Sequence, residues 1–207
     1  MSRTTLAENV ADVLRHAIYQ GVYLSGERLV ELTIAQEMNV SQNTVRDALR
    51  LLQHDGLVEK RARLGTYVRS HNPEEAEEMY ALWLALESLV LQWAMTRIIP
   101  AQVALLHELA SDYAACVDAD RRREAQEKRF QFHRLIAQVS GKSQTAALLR
   151  QVRNQIRLLE NVRYAPHPEH LPSHYESLVD AIRAKDPTAA QKHLRACIQD
   201  NQYAAAE

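Results

Sequence analysis

Residues 38–58, MNVSQNTVRDALRLLQHDGLV, decide how the first third of the chain is read. Ser41 is a strong helix N-cap, because its hydroxyl can accept from a free backbone N–H of the first turn. The helix that follows sets Val45, Ala48, Leu49 and Leu52 on one stripe, at spacings of three and four. Gln42, Asn43, Arg46 and Arg50 fall on the opposite face, and Asp55-Gly56 supplies the stop. A helix with one apolar stripe and one face of long donors suits the DNA major groove. The stripe docks on a scaffold, while amides and guanidinium groups meet base edges and phosphates. An ordinary solvated helix face has the same composition, so the neighbouring segments must decide.

Upstream, Leu6 to Gln20 reads as a helix with Leu6, Val10, Val13, Leu14, Ala17 and Ile18 inward and Gly21 as its stop. Ser25-Gly26 marks a turn, and a short helix covers about Val30 to Met38. Asn39 suits a left-handed residue in the tight turn before Ser41. Downstream, Leu57-Val58 and Thr66-Tyr67-Val68 are β-rich runs flanking Lys60, Arg61, Arg63 and Gly65. That is a hairpin with cations near its tip, able to lie along phosphates, with Gly65 permitting close backbone approach. Helix, turn, helix and basic hairpin in this order describe a winged helix-turn-helix.

Nearly all of residues 6–69 resemble the GntR-type winged helix domain. The matching residues include Leu14, Ile18 and Gly21; Gly26-Glu27-Arg28-Leu29; Ala35; Val40-Ser41; Val45-Arg46; Ala48-Leu49; Leu52; Gly56-Leu57-Val58; and Gly65-Thr66-Tyr67-Val68. The resemblance implies DNA contacts from Ser41, Gln42, Asn43, Thr44, Arg46 and Arg50, and from the wing at Arg61, Arg63 and Gly65. Gln42 stands where the family usually has Arg, and Asn43-Thr44 replaces a common Thr-Pro. Arginine pairs with guanine in a bidentate way and glutamine favours adenine, so the operator is expected to depart from the usual half-site at that base.

His71-Asn72-Pro73 is a short linker, and the acids after Pro73 suit a helix start. That helix reaches about Thr96, with Met79, Leu82, Leu86, Val90 and Trp93 at core spacing. Pro100 opens a second helix, carrying Val103, Leu106, Leu109, Ala110, Tyr113 and Val117; a third covers about 120–139 and stops at Ser140-Gly141. A fourth runs from about Gln144 to Arg163 through Leu148, Val152, Ile156 and Leu159. The loop YAPHPEHLP follows; Ser173 with Glu176 then reads as a capping box, and Asp186-Pro187 as the start of the last helix. The expected fold class is therefore mainly α. A winged helix-turn-helix with a small β-hairpin occupies residues 1–70, a linker 71–73, and an antiparallel bundle of six to seven helices 74–207.

The bundle resembles the FCD domain, the effector-binding part of FadR-like GntR regulators. Tyr80, Leu86-Glu87, Phe132-His133, Ile136, Ser140-Gly141, Ala181-Ile182, Asp186, Ala190 and Leu194 carry the likeness. Many such domains hold a divalent metal between one Asp and three His. Carried onto this chain, those four positions are Arg129, His133, Tyr175 and Cys197. Three are changed, and a guanidinium repels a cation, so no metal is required; His133, His170, His174 and His193 are what remains for a rearranged site. Trp83 stands where relatives often have a ligand-contacting Arg. Trp83, Glu87, Arg129, His133, Tyr175 and Cys197 are thus the candidate effector pocket, for an organic acid with an apolar part.

The 207 residues carry a net charge of −1, so any nucleic-acid-binding surface must be local. Cys116 and Cys197 match no metal or redox spacing, and no signal peptide or membrane span is visible. No nucleophile elbow, glycine-rich phosphate loop or Cys–His spacing points to an enzyme. The resemblance implies a cytoplasmic homodimeric regulator, repressive by analogy with the family, that binds a palindromic double-stranded operator and answers to a small acidic metabolite. The alternative is a metal-dependent or metal-sensing FCD regulator.

Overall fold

The computed structural model describes residues 4–163 and 172–203; His170 and most of the loop before Ser173 lie outside them. The chain divides into two compact units, Met1–Met79 with Arg150–Tyr164, and Tyr80–Leu149 with Ala165–Glu207.

In the first unit α1 (Leu6–Tyr19) opens on a capping box. The Thr5 hydroxyl accepts from Glu8 N at 3.2 Å, and Thr5 N donates to the Glu8 carboxylate at 2.6 Å. The backbone N–H of Thr5, and then its hydroxyl, both donating to Glu8 Oε2, hold that carboxyl below its ordinary pKa. Strand β1 (Arg28–Leu29), α2 (Glu31–Glu37), α3 (Gln42–His54), β2 (Val58–Arg61) and β3 (Gly65–Val68) follow. The sheet is antiparallel in the order β1-β3-β2, with Leu29 opposite Thr66 and Val58 opposite Val68. The hairpin of β2 and β3 is the expected wing. Strand β1 was not expected, since two residues carry no alternation to read.

Val10, Ala11, Leu14 and Ile18 of α1 meet Val45, Ala48, Leu49 and Leu52 of α3 in one core. Leu6 and Val13 do not join it and are mostly exposed, correcting the wider stripe expected for α1. The buried row is the four-residue spacing through Val10, Leu14 and Ile18. Helix α7 (Ser143–Arg163) adds Leu158 to the same core, so its second half belongs to this unit.

The second unit holds α4 (Pro73–Met95) from Tyr80 onward, α5 (Pro100–Asp118), α6 (Arg122–Ser140), the start of α7, α8 (Ser173–Arg183) and α9 (Pro187–Tyr203). Several stops and starts are those the sequence carries. Gly141 ends α6 at φ 65°, and Asp186 Oδ1 accepts from Thr188 N and Ala189 N, each at 3.0 Å. The capping box expected at Ser173 is absent. Helix α8 begins one residue earlier, with Pro172 at the cap and its carbonyl taking the Tyr175 N–H at 3.0 Å. Ser173 is then already helical, and its hydroxyl is out of the capping position.

Two faces differ from expectation. Of the α4 stripe read as core, only Val90 is buried; Met79, Leu86 and Trp93 are half-buried and Leu82 is exposed. The face of α4 that is buried carries Tyr80, Trp83, Glu87, Leu91 and Ala94. On α7, Leu148 is exposed and Leu149 is buried in its place. Both misreadings occur where apolar residues crowd around the helix, so that spacing alone does not choose a face.

Candidate nucleic-acid interface and bundle site

Asn39 is left-handed at φ 51°, as the tight turn between α2 and α3 needs. Ser41 Oγ then accepts from Thr44 N at 3.1 Å and lies 2.8 Å from Thr44 Oγ1. Val45, Ala48, Leu49 and Leu52 are all buried, which turns Gln42, Asn43, Arg46 and Arg50 to solvent. Their side chains are held by neighbours. Gln42 Nε2 donates to Glu31 Oε2 at 3.1 Å, and Arg46 Nη2 pairs with the same oxygen at 3.0 Å. Arg46 Nη1 donates to Asn43 Oδ1 at 3.2 Å, and Arg50 Nη1 pairs with Asp47 Oδ1 at 2.9 Å. Exposed pairs of this kind are each worth roughly 0.2–1 kcal/mol, so a phosphate or base edge can displace the carboxylate.

In the wing, the Arg61 guanidinium lies 4.3 Å from the Tyr67 ring centroid and its Nε reaches Glu59 Oε1 at 2.8 Å. Arg61 thus braces the hairpin, while Lys60 and Arg63 are exposed. Arg63 occupies the turn at φ 62°. Gly65 has φ 114°, and a Cβ there would come within 3.3 Å of Arg28 Nε. Glycine at this position is required by the hairpin backbone itself.

In the second unit the structure brings Trp83, Glu87, His133 and Tyr175 together. Trp83 Nε1 donates to Glu87 Oε1 at 3.0 Å, and His133 Nδ1 lies 3.3 Å from the same oxygen. The other ring nitrogen, Nε2, is 3.1 Å from the Tyr175 hydroxyl. All four residues are buried, with the His133 ring set between the Glu87 carboxylate and the Tyr175 hydroxyl across α4, α6 and α8. The Arg129 guanidinium is also buried, 4.9 Å from the Phe130 ring centroid and 5.7 Å from that of Trp83. Tyr113 and Phe132 close around Tyr175, with ring centroids 4.9 Å and 5.2 Å away. Cys197 is buried on α9. His174 and His193 form a separate half-buried pair, with ring centroids 6.3 Å apart. Among the described residues, no group of three or more His, Cys, Asp or Glu side chains is arranged to hold a metal ion. No helix among them is long and apolar enough to cross a membrane.

Residues 6–68 match the family described as bacterial regulatory proteins, gntR family, and residues 78–200 match the FCD domain. The chain belongs to the GntR family. It joins the GntR-type N-terminal domain to a C-terminal FCD domain. The Exu regulon transcriptional regulator of Escherichia coli K12 is 26% identical over 90% of this chain and 79% of its own length. A GntR transcriptional regulator of Rhodococcus, solved by crystallography, is 27% identical over 97% of both chains, with a TM-score of 0.81. The gluconate operon transcriptional repressor of Bacillus subtilis is 34% identical over 44% of this chain and 37% of its own length. Family and relatives are regulators of transcription, not enzymes.

Two features of this GntR head escaped the sequence reading. Glu31 is one, since nothing in the spacing shows that Gln42 and Arg46 converge on a carboxylate eleven and fifteen residues away. The other lies at the far end of α3. Asp55 is buried and accepts from Arg15 Nη2 at 2.7 Å, with Arg150 Nη2 3.5 Å from its other oxygen. Gln151 Nε2 donates to the His54 carbonyl at 2.8 Å, and Asn154 Nδ2 to the Asp55 carbonyl at 3.1 Å. Tyr19 Oη donates in turn to Asn154 Oδ1 at 2.7 Å. Side chains from α7 therefore satisfy carbonyls that the end of α3 leaves open. Gly56, at φ 75°, makes room for this, because a Cβ there would lie 2.9 Å from Gln155 Nε2.

Proposed function

We propose that this GntR regulator is a cytoplasmic homodimer that represses transcription from a palindromic operator and responds to a small organic acid. In this reading residues 1–70 are the DNA-binding domain and 74–207 the effector-binding and dimerisation domain. Each head sets Gln42, Asn43, Arg46 and Arg50 in a major groove, with Ser41 and Thr44 near the backbone. Arg61, Arg63 and Gly65 of the wing follow the phosphates, and the two-fold axis of the dimer coincides with that of the operator. Repression is favoured by the repressor role of the Bacillus subtilis relative.

The effector reading rests on Arg129, a buried guanidinium among aromatic rings. Its planar fork suits a carboxylate, and Trp83 and Tyr175 suit an apolar body beside it. Glu87, His133 and Cys197 complete the proposed pocket. Since these side chains are buried, an effector enters by displacing some of them, and its affinity differs between two arrangements of the bundle; that difference is what reaches the operator. No metal is needed, because a fixed guanidinium supplies the positive charge.

The observation that carries the DNA reading is a helix capped by Ser41, buried along one stripe, and presenting two guanidinium groups outward. The test is fluorescence anisotropy with duplexes selected from a random pool by the wild-type protein. Arg46→Ala with Arg50→Ala should weaken binding by roughly 1–3 kcal/mol for each base edge no longer bonded, and lower the salt slope by about one for each phosphate no longer neutralised. Unchanged affinity and slope in the double variant would overturn the reading.

A further inference from the structure

The apex of the wing is the turn Arg61–Leu64, closed by Leu64 N on the Arg61 carbonyl at 3.1 Å. Its third residue, Arg63, stands at φ 62°, a conformation costly for any residue with a Cβ and ordinarily given to glycine or asparagine in such turns. Its fourth, Leu64, is 57% exposed. Lone leucines are common on surfaces, but this one differs from them in two respects. The apex is braced from beneath. The Tyr67 hydroxyl donates to the Leu64 carbonyl at 3.5 Å, and Arg61 lies against the Tyr67 ring with its Nε on Glu59. The apex is also surrounded by positive charge. Lys60 and Arg63 are exposed, and the Arg28 guanidinium of β1 lies beside Gly65. Between residues 58 and 70 the one acid is Glu59, which Arg61 holds.

A braced apolar point with cationic shoulders matches the minor groove of a duplex. Phosphates run along both walls of that groove and stacked bases form its floor. Proteins that enter it press apolar side chains between base pairs while cations neutralise the walls. We infer that Leu64 is a wedge: it enters the minor groove beside the half-site met by α3, partly unstacks one base step there, and bends the duplex. Unstacking is easiest at pyrimidine–purine steps such as TA and CA. Leu64 therefore selects a flexible step without a hydrogen bond to any base edge. Arg63 beside it supplies neutralising charge, and the strain of its backbone is the cost of setting both side chains at the tip. The inference rests on the DNA reading above and adds to it a residue that determines specificity through deformation.

Duplexes selected from a random pool by the wild-type full chain test it. They should be enriched in a TA or CA step on the wing side of each half-site, and 2-aminopurine placed at that step should brighten on binding. In anisotropy titrations Leu64→Ala should lose about tenfold in affinity on these duplexes, and little on partners whose step is replaced by AA. Its salt slope should stay at the wild-type value, since no charge is removed. Leu64→Met should keep the step preference and Leu64→Ser should lose it, with folding unchanged in both because the side chain is exposed. Arg63→Ala should instead weaken binding equally on both duplexes and lower the slope by about one. A wild-type chain that binds no duplex from the pool would overturn the DNA reading and the wedge together. A wild-type chain that binds without a step preference, or that favours stiff A-tracts, would overturn the wedge alone. So would a Leu64→Ala variant that matches the wild type, or methionine and serine variants that match each other.

Discussion

Helices α3 and α4 both carry apolar residues at spacings of three and four, yet only α3 presents the face its sequence advertises. On α3 the positions outside the stripe are Gln, Asn, Thr, Arg, Asp and His with a single exposed leucine, Leu51, so only one orientation buries several apolar side chains. On α4 leucines and alanines occupy almost every side, and two stripes compete. The winning stripe is the one bearing the large rings and a polar anchor: Tyr80, Trp83 and Glu87, with the indole N–H on the carboxylate. Periodicity therefore names the buried face when the remainder is polar. Where the remainder is apolar too, aromatic volume and hydrogen-bond partners decide.

The largest expected effect breaks or confirms that contrast on α4. Trp83→Ala removes a fully buried ring and a hydrogen bond to Glu87, and should lower stability by roughly 3–5 kcal/mol. Leu82→Ala, one residue away, should cost under about 1 kcal/mol, because much of its surface already meets water. Urea titration followed by circular dichroism reads both. Equal costs at the two positions would mean that the outer stripe is packed in solution by this chain itself.

The same physics sets how much was legible in advance. The winged head was readable almost throughout, because Ser41, Asn39, Gly56 and Gly65 are local devices that act within a few residues of themselves. Helix starts at Pro100 and Asp186 were readable for that reason as well. What escaped depends on contacts distant in sequence. Leu158 in the core of the head is one case, and the hold of Asn154 and Gln151 on the end of α3 is another. The bundle cluster was reached through family registration, which brought His133 and Tyr175 together correctly, at 3.1 Å. Registration could not show that Glu87 accepts from the Trp83 indole, with the His133 ring 3.3 Å from the same oxygen.

A middle-sized effect probes the far end of α3. Asn154→Ala should remove the bonds to the Asp55 carbonyl and from the Tyr19 hydroxyl, and cost about 2 kcal/mol of stability in the same titration. Asn154→Asp keeps an acceptor for Tyr19 but loses the donor to Asp55, and sets a negative charge beside the carbonyl end of a helix. It should be no milder than the alanine variant, even though it is nearly isosteric. If instead both variants matched the wild type, α3 would be held by its Ser41 cap and its stripe alone, and its two ends would be energetically unalike.

The smallest effect concerns the solvent face of α3, where identity rather than burial matters. Gln42 now shares Glu31 with Arg46. An arginine at 42 would pair with that carboxylate more strongly, and on DNA would favour the O6 and N7 of guanine where glutamine favours adenine. Gln42→Arg should therefore move the preferred base at one symmetric operator position from adenine to guanine, by roughly 1 kcal/mol of discrimination, with stability unchanged because the side chain is exposed. Sequencing of operators selected by each protein measures this. A wild-type protein that already selects guanine there would show that residue 42 does not read that base, and would move the reading to Asn43 or Arg46 on the next turn of the same face.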